Sequence, residues 1–211
     1  MLFSILSLGL LPLAVQAAPQ STEPPSPGPG VPNTGFELYA YGSDFGGLNV
    51  FNWNGLAFLG NASQANDTEA AEVQFMRSPS STTSMTGNPV PGPGSTAPSW
   101  FNVTYYIPAD TTTSHQTGFL EVDNITTDDL TTGFVFYGNT AAWEDSTGAL
   151  QTKWYALPYG DTNLWTLNWD PSTETSSDKV QVTLRTVTPS RPPPNPPNPQ
   201  GGQPGGPPAS S

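Results

Sequence analysis

Residues 46–61 read GGLNVFNWNGLAFLGN and contain the clearest local signal in the chain. Two runs rich in aromatic and aliphatic residues, 48–53 and 56–60, are separated only by Asn54-Gly55. A two-residue turn needs positive φ at both central positions, and Asn-Gly tolerates this conformation best. The stretch therefore predicts a β-hairpin.

Similar runs recur on both sides of the hairpin, with turn residues between them and without a helical period. Together with the hairpin they make ten candidate strands: 35–41, 48–53, 56–60, 71–76, 101–107, 118–122, 133–138, 149–157, 163–169 and 179–187. Short strands at this spacing, without an internal repeat, predict an all-β fold and favour a jelly-roll-like sandwich of two antiparallel sheets over a closed barrel. Turns are predicted at 146–148 and 158–161, and the segment 78–99, rich in Ser, Thr, Pro and Gly, is predicted to be a long exposed loop.

The two ends of the chain differ in composition from its middle. Residues 1–17, MLFSILSLGLLPLAVQA, form an apolar run that closes on small residues, which is typical of a secretory signal peptide. The segments 18–32 and 189–211 are rich in proline and poor in apolar side chains, so they are predicted to be a disordered linker and a disordered tail. Residues 33–188 remain as one β-sandwich domain. The mature protein is therefore predicted to be extracellular or held in a cell wall.

The composition excludes several classes of function. The chain has 5 Lys plus Arg against 17 Asp plus Glu, which gives a formal net charge of −12. Nucleic acids and anionic membranes both attract clustered basic residues, so neither partner is expected. Because the chain has no cysteine, it has no disulfide, no thiolate nucleophile and no Cys-ligated zinc. No cofactor is expected.

Four Asn-x-Ser/Thr sequons lie in the predicted domain. In a secreted chain their asparagines are predicted N-glycosylation sites: Asn61, Asn66, Asn102 and Asn124. Asn61 and Asn66 lie in a polar turn. Asn102 lies in a predicted strand, so it would be modified only if its side of the sheet faces solvent.

Few side chains are suited to hydrolysis. His115 is the only histidine and lies in a polar segment predicted to be a loop, so it is interpreted as a surface residue. Two carboxylates can cleave a glycosidic bond. Glu121 and Asp123 are predicted to share one face of a strand, and Glu37 is a further acid between apolar neighbours. These three acids are the catalytic candidates, and the alternative for each is a solvated sheet face.

The acidic segment 123–129 is a candidate metal site. Asp123, Asn124, Asp128 and Asp129 supply oxygen ligands of the kind that calcium prefers. The regular ligand spacing of a calcium-binding loop is missing. The segment is therefore interpreted as an acidic surface turn, and no metal is predicted.

Aromatic side chains offer a way to bind sugars without a titrating group, because the C–H faces of a sugar ring stack on Trp and Tyr. Trp53, at the hairpin turn, is one candidate for an exposed stacking ring. Tyr39 and Tyr41, which share one face of a predicted strand, are the others. Trp165 and Trp169 are predicted to lie in the core.

Five blocks of sequence resemble a group of secreted fungal proteins of unknown function. The blocks are FELYAYG (36–42), GGLNVFNWNGLAFLGN (46–61), GFVFYGNTAAWEDSTG (133–148), KWYALPYGDTNLWTLNW (153–169) and KVQVTLRTVTPS (179–190). In that group a sandwich domain follows a signal peptide, so the resemblance implies a β-sandwich in a secreted or wall-associated fungal setting. It implies no activity and no site residue.

The secretion signal, the sequons, the aromatic-rich strands and the scarcity of catalytic groups favour one function. They indicate a secreted or cell-wall-associated glycoprotein that is not an enzyme and has cell-wall polysaccharide as its partner. Two alternatives stay open. One is a sandwich-fold glycoside hydrolase or lyase that uses Glu121, and the other is a secreted effector or surface antigen that acts on a host protein.

Overall fold

The computed structural model describes residues 35–78, 81–92, 94 and 96–190. The predicted signal peptide, the predicted linker and residues 191–211 of the predicted tail lie outside these residues. In the described part of the chain the strands are β1 (Tyr39–Tyr41), β2 (Gly46–Trp53), β3 (Leu56–Leu59), β4 (Ala71–Ser78), β5 (Ser81–Val90), β6 (Val103–Pro108), β7 (Gly118–Leu120), β8 (Asp129–Leu130), β9 (Phe134–Tyr137), β10 (Thr140–Glu144), β11 (Leu150–Gln151), β12 (Trp154–Pro158), β13 (Trp165–Trp169), β14 (Val180–Gln181) and β15 (Thr183–Arg185). Three short 3₁₀ helices accompany them: η1 (Ala62–Ala65), η2 (Val122–Asn124) and η3 (Pro171–Thr173). No helix in this part of the chain has the length and apolar character needed to cross a membrane.

Six of the strands close into an antiparallel barrel in the order β2, β4, β5, β6, β7, β3 and back to β2. Strand β2 makes the closure, because Phe51 pairs with Phe58 of β3 on one side and with Glu72 of β4 on the other. Strand β3 continues the ring, since Leu56 pairs with Gly118 of β7. The all-β antiparallel prediction is confirmed, but the strands form a closed barrel with additional strands where the sequence favoured a two-sheet sandwich. Hydrophobic patterns identify strands but do not show which strands pair. They could not show that β2 pairs with more than one neighbouring strand on the same edge or both edges.

Two groups of strands extend the barrel. Beyond β3 the sheet continues through β13, β12 and β14. The first half of β2 pairs with β1, where Tyr39 lies opposite Asn49, and from there the sheet continues through β15, β10 and β11. The predicted strand 179–187 is divided at Val182, so that β14 pairs with β12 while β15 pairs with β1 and β10. One run of sequence therefore ties the two extensions together.

The segment 78–99, predicted to be an exposed loop, contains the ten-residue strand β5. This strand pairs with β4 along most of its length and with β6 at Thr86 and Gly87. Gly87 lies so close to β4 that a Cβ atom there would stand 2.6 Å from Val73 Cγ1. The prediction is wrong because Ser, Thr and Gly dominate the composition, whereas the strand is stabilised by backbone hydrogen bonds on both of its edges.

The main core is built from aromatic rings. The Tyr105 ring lies 5.8 Å from that of Phe75, 5.4 Å from that of Phe119 and 5.2 Å from that of Phe134, measured between centroids. Trp154 Nε1 donates a hydrogen bond to Tyr105 Oη at 3.2 Å, and burial raises the pKa of Tyr105 to about 12. Trp169 belongs to this core, as predicted, whereas Trp165 is only partly buried and packs against it.

The predicted Asn-Gly hairpin joins β2 to β3. Asn54 and Gly55 have φ values of 53° and 79°, and Trp53 pairs with Leu56 across the turn. Asn52 Oδ1 accepts the Gly55 N–H at 3.0 Å, which holds the turn closed. The predicted turns at 146–148 and 158–161 also join antiparallel strands, β10 to β11 and β12 to β13.

Candidate functional site

A group of aromatic rings lies on the outer face of the β2–β3 hairpin. The Trp53 ring lies 5.1 Å from that of Phe58 and 5.6 Å from that of Tyr159, and Phe58 and Tyr159 are 5.1 Å apart. Phe58 is buried, Trp53 is half-buried and Tyr159 is 40 % exposed. Tyr159 comes from the turn between β12 and β13. We call Trp53 and Tyr159 the aromatic surface.

The aromatic surface has a rigid backing. A second, smaller core of Phe51, Phe58, Ala62 and Leu164 lies on this face of the hairpin, and Ala62 comes from η1. Asn61 begins that helix, since its Oδ1 atom accepts the Ser63 N–H at 3.0 Å. Trp53 packs against this core, so one side of its ring is supported by protein.

Asp67 fixes the orientation of the Trp53 indole. Trp53 Nε1 donates to Asp67 Oδ2 at 3.0 Å, and the Glu69 N–H donates to Asp67 Oδ1 at 2.9 Å. The Glu69 N–H and the Trp53 indole together lower the pKa of Asp67. A ring that is already held in one orientation loses little conformational entropy when a ligand binds to it.

The segment 67–69 also forms a hydrogen bond with a second tryptophan, Trp100. Trp100 Nε1 donates to the Glu69 carbonyl oxygen at 2.9 Å. The N–H and the hydroxyl of Ser99 donate to Glu69 Oε2 at 3.0 and 2.7 Å. Residues 67–69 therefore link Trp53, on the flank of the barrel, to Trp100.

Trp100 lines a cavity of about 350 Å³ at one end of the barrel, which we call the barrel mouth. Glu69 and Glu121 line it as well, and so does the buried side chain of Asn52. Its walls are mixed, with apolar side chains such as Trp100 and Phe119 beside several amide and carboxylate groups. The barrel mouth is lined by the predicted acid Glu121 together with Glu69, an acid that no sequence pattern singled out.

The three predicted catalytic acids do not meet at this cavity. Strand β7 ends at Leu120, so Glu121 immediately precedes η2, without a side-chain cap hydrogen bond, and Asp123 lies inside that helix. The prediction that Glu121 and Asp123 share a strand face is therefore wrong, and both side chains are exposed. Glu37 precedes β1 and is not among the described residues that line the mouth.

Glu37 belongs to a separate polar cluster with Tyr39 and Glu72. Tyr39 Oη donates a short hydrogen bond to Glu37 Oε2, and burial together with this contact raises the pKa of Tyr39. Burial also raises the pKa of Glu72, a hydrogen bond with Asn49 opposes the rise, and the Glu37 charge adds to it. Tyr39 is only 5 % exposed, so its predicted exposure is wrong.

Tyr41, the other predicted stacking tyrosine, is half-buried and already engaged. Its hydroxyl donates to the Val187 carbonyl oxygen at 2.8 Å, and the Arg185 guanidinium lies 5.5 Å from the centre of its ring. A sugar would have to displace this cation–π contact. Trp53 is therefore the predicted stacking residue that the structure leaves best placed.

A groove of about 700 Å³ runs beside the aromatic surface, between the segments 61–72 and 90–98. Asp67 and Glu72 line it, and its described lining residues include no Lys, Arg or His. The groove is consequently acidic. Neutral or cationic ligands suit such a field better than anionic ones.

All four sequon asparagines are exposed. Asn61 and Asn66 flank η1 and line the groove, and Asn124 ends η2 and lines the barrel mouth. Asn102 is not in a strand, contrary to its prediction, because β6 begins at Val103 and Asn102 adopts a left-handed turn with φ 51°. Glycosylation of these sites stays a prediction.

His115 is half-buried, with contacts to both ring nitrogens. Nδ1 lies 3.1 Å from the Trp169 carbonyl oxygen, which accepts a hydrogen bond, and Nε2 lies 2.9 Å from Thr173 Oγ1. The ring thus connects the segment before β7 to η3. This arrangement accounts for the histidine as a structural contact.

The acidic segment 123–129 is held by its own hydrogen bonds. Asp129 Oδ2 accepts the N–H and the hydroxyl of Thr126 at 2.9 and 2.7 Å. Among the described residues, no group of three or more His, Cys, Asp or Glu side chains is arranged to hold a metal ion.

Sequence reasoning does not find Tyr159, Asp67 or Glu69 as parts of a site. Tyr159 lies in a predicted turn, and an aromatic residue in a turn is the one available signal for an exposed ring. Asp67 and Glu69 become relevant only because the segment 60–70 folds back along the outside of the hairpin, which no local pattern predicts.

Comparison with known proteins assigns no role to the site, and the resemblance to secreted fungal proteins stays a prediction. No protein-family model, no curated protein and no solved structure matches the chain.

Proposed function

We propose that the chain is a secreted or cell-wall-associated glycoprotein, of the fungal kind that its sequence blocks resemble, and that it binds polysaccharide without cleaving it. The observation that carries the proposal is the Trp53 indole. It is backed by Phe58, bonded through Nε1 to Asp67 and met by the 40 % exposed ring of Tyr159.

The aromatic surface suits a sugar for physical reasons. A sugar ring offers an apolar C–H face that packs on an indole or a phenol, with its hydroxyl groups directed to the sides. The adjacent groove supplies polar partners for those hydroxyls from Asn61, Asn66 and Asp67. Binding of this kind needs no group that gains or loses a proton, which agrees with the acidic chain and its single histidine.

Binding without cleavage is supported by the placement of the predicted acids. Glu121 and Asp123 are exposed at η2, whereas Glu37 is bonded to Tyr39. A glycosidase needs two carboxyl groups facing each other across the scissile bond. In the groove beside the aromatic surface, Asp67 is bonded to the Trp53 indole and the Glu69 N–H, and Glu72 forms a hydrogen bond with Asn49.

Sedimentation with insoluble β-glucan and chitin tests the proposal. Wild-type protein should appear in the pellet, and Tyr159→Ala should weaken binding about 2–10-fold, which corresponds to the loss of ~0.5–1.5 kcal/mol of aromatic contact. Trp53→Ala should do the same, with its melting temperature measured because Trp53 also packs on the small core.

Tyr137→Ala is the matched control, because Tyr137 is 81 % exposed at the end of β9. It should bind like the wild type. Recovery of all wild-type protein in the supernatant with each polysaccharide would refute the binding role. Equal losses in Tyr137→Ala and Tyr159→Ala would refute the aromatic surface as the binding site.

One observation favours a second candidate, a glycoside hydrolase or lyase at the barrel mouth. Glu121 and Glu69 line the same cavity together with Trp100. Release of reducing sugar that disappears in Glu121→Gln and persists in Glu144→Gln, a change on β10, would support this candidate. Activity that survives Glu121→Gln would exclude it.

A further inference from the structure

Two of the most exposed large apolar side chains in the described chain lie beside one predicted glycosylation site. Phe101 is 75 % exposed and Val122 is 73 % exposed. Thr104 of β6 pairs with Leu120 of β7. Asn102 lies two residues before Thr104 and Val122 lies two residues after Leu120, so both lie just beyond the same end of the β6–β7 pair. The asparagine, which immediately precedes β6, therefore has Phe101 as its neighbour in sequence and Val122, the first residue of η2, at the same end of the β6–β7 pair.

The backbone of Asn102 is fixed although its side chain is open. Asn88 Oδ1 accepts the Asn102 N–H at 3.0 Å, and the left-handed φ of 51° is a conformation that Asn tolerates better than most residues. Its side chain is exposed, so the amide that would carry a sugar is accessible. A group attached there would leave the protein from a defined position next to Phe101.

The Phe101 ring is largely uncovered by the described chain, and an attached sugar has the chemistry to pack on it. Burial of apolar surface is favourable, and the C–H faces of a sugar fit an aromatic ring. A covalently linked sugar also reaches the ring without the entropic cost of association, because attachment makes the contact intramolecular.

We propose that Asn102 carries an N-linked glycan whose first sugar residues pack on Phe101 and Val122. This inference rests on the proposed secretory route. The packed sugar covers the apolar rim next to Trp100 and Leu120, which line the barrel mouth. The glycan is then part of the folded structure and stabilises it.

The test uses the full chain secreted from a host that attaches N-glycans. Peptide mass analysis shows which asparagines are modified, and melting temperatures are measured before and after enzymatic removal of the glycans. Enzymatic removal is preferred to Asn102→Gln, since glutamine would strain the left-handed backbone at this position.

Removal of the glycans should lower the melting temperature of the wild type by about 2–4 °C. In Phe101→Ser the same treatment should have a clearly smaller effect, because the ring that the sugar packs on is gone. Tyr137→Ser, which removes an equally exposed ring far from any sequon in the sequence, should respond to glycan removal as the wild type does.

The possible outcomes distinguish failure of this inference from failure of the proposal that the protein is a secreted glycoprotein. An unmodified Asn102 beside a modified Asn61 or Asn66 overturns the inference and leaves the secreted glycoprotein intact. Equal effects of glycan removal in the wild type and Phe101→Ser overturn the packing. Absence of sugar from all four sequons overturns both proposals.

Discussion

The Glu72 carboxyl group lies in an environment that disfavours its ionised form. Burial raises its pKa, and the neighbouring Glu37 charge adds to this. A carboxyl pKa that is higher in the folded than in the unfolded state makes the fold gain stability as the pH falls through that pKa. We therefore expect Glu72→Gln to stabilise the protein at pH 7 and to lose this advantage near pH 4.

Urea unfolding midpoints at the two pH values would measure this effect. Asp44→Asn, a change in the exposed turn before β2, serves as the control for loss of one negative charge. A Glu72→Gln protein that is less stable than the wild type at pH 7 would mean that the ionised carboxylate supports the fold.

The fate of single side chains was only partly predictable. Alternation places Tyr39 and Tyr41 on the face opposite the core, and this is correct as far as the strand goes. Alternation does not show which groups contact the tyrosines on that face. Glu37, two residues away, accepts a hydrogen bond from Tyr39, and Arg185, which is distant in sequence, lies over the ring of Tyr41. The hydrogen bond between Trp53 and Asp67 involves only the indole nitrogen, so it leaves the face of the Trp53 ring uncovered.

Among the structural elements, the β2–β3 hairpin depends on glycine at its second turn position. Gly55 has φ 79°, which costs any other L-residue about 1–2 kcal/mol. Its Cβ would also lie 3.3 Å from the Phe119 carbonyl oxygen. Gly55→Ala should therefore lower the free energy of unfolding by about 1–2 kcal/mol or more.

Gly46→Ala provides the comparison, because a Cβ on Gly46 meets no atom within 4 Å and its φ is not positive. Chemical denaturation should show Gly46→Ala within about 0.5 kcal/mol of the wild type. Equal stability of the two variants would show that the turn relaxes without cost.

Elements with a strong local signal were predictable, and their pairing was not. Asn54-Gly55 predicts the hairpin because two residues determine it. Strand β5 has no such signal, as its place between β4 and β6 stabilises it. The same holds for the barrel mouth, where Glu69 and Glu121 are brought together from segments 52 residues apart in sequence (121 − 69).

For the whole molecule, the acidic composition predicts tolerance of mild acid. The net charge is −12, and partial protonation of solvated carboxyl groups reduces their mutual repulsion. Asp145 keeps its charge, since hydrogen bonds from Thr147 and Gln151 lower its pKa to about 2. The stability that this lowered pKa contributes is present above about pH 4 and is lost as the pH falls towards 2.

Melting temperatures at intervals from pH 7 to pH 2 would check this. We expect no decrease between pH 7 and pH 5, and a decrease below about pH 4 that is smaller in Asp145→Ala. A sharp fall already at pH 5 would show that charged carboxylates hold the native fold together at neutral pH.

The pairing of β1 with β15 places Tyr39 opposite Arg185. During synthesis the first of these strands leaves the ribosome 146 residues before the second (185 − 39), so the native arrangement is completed only when translation of the domain is nearly over. Such distant partners slow folding. A nascent chain that stops short of β15 leaves one edge of β1 open, and an open edge recruits strands from neighbouring molecules.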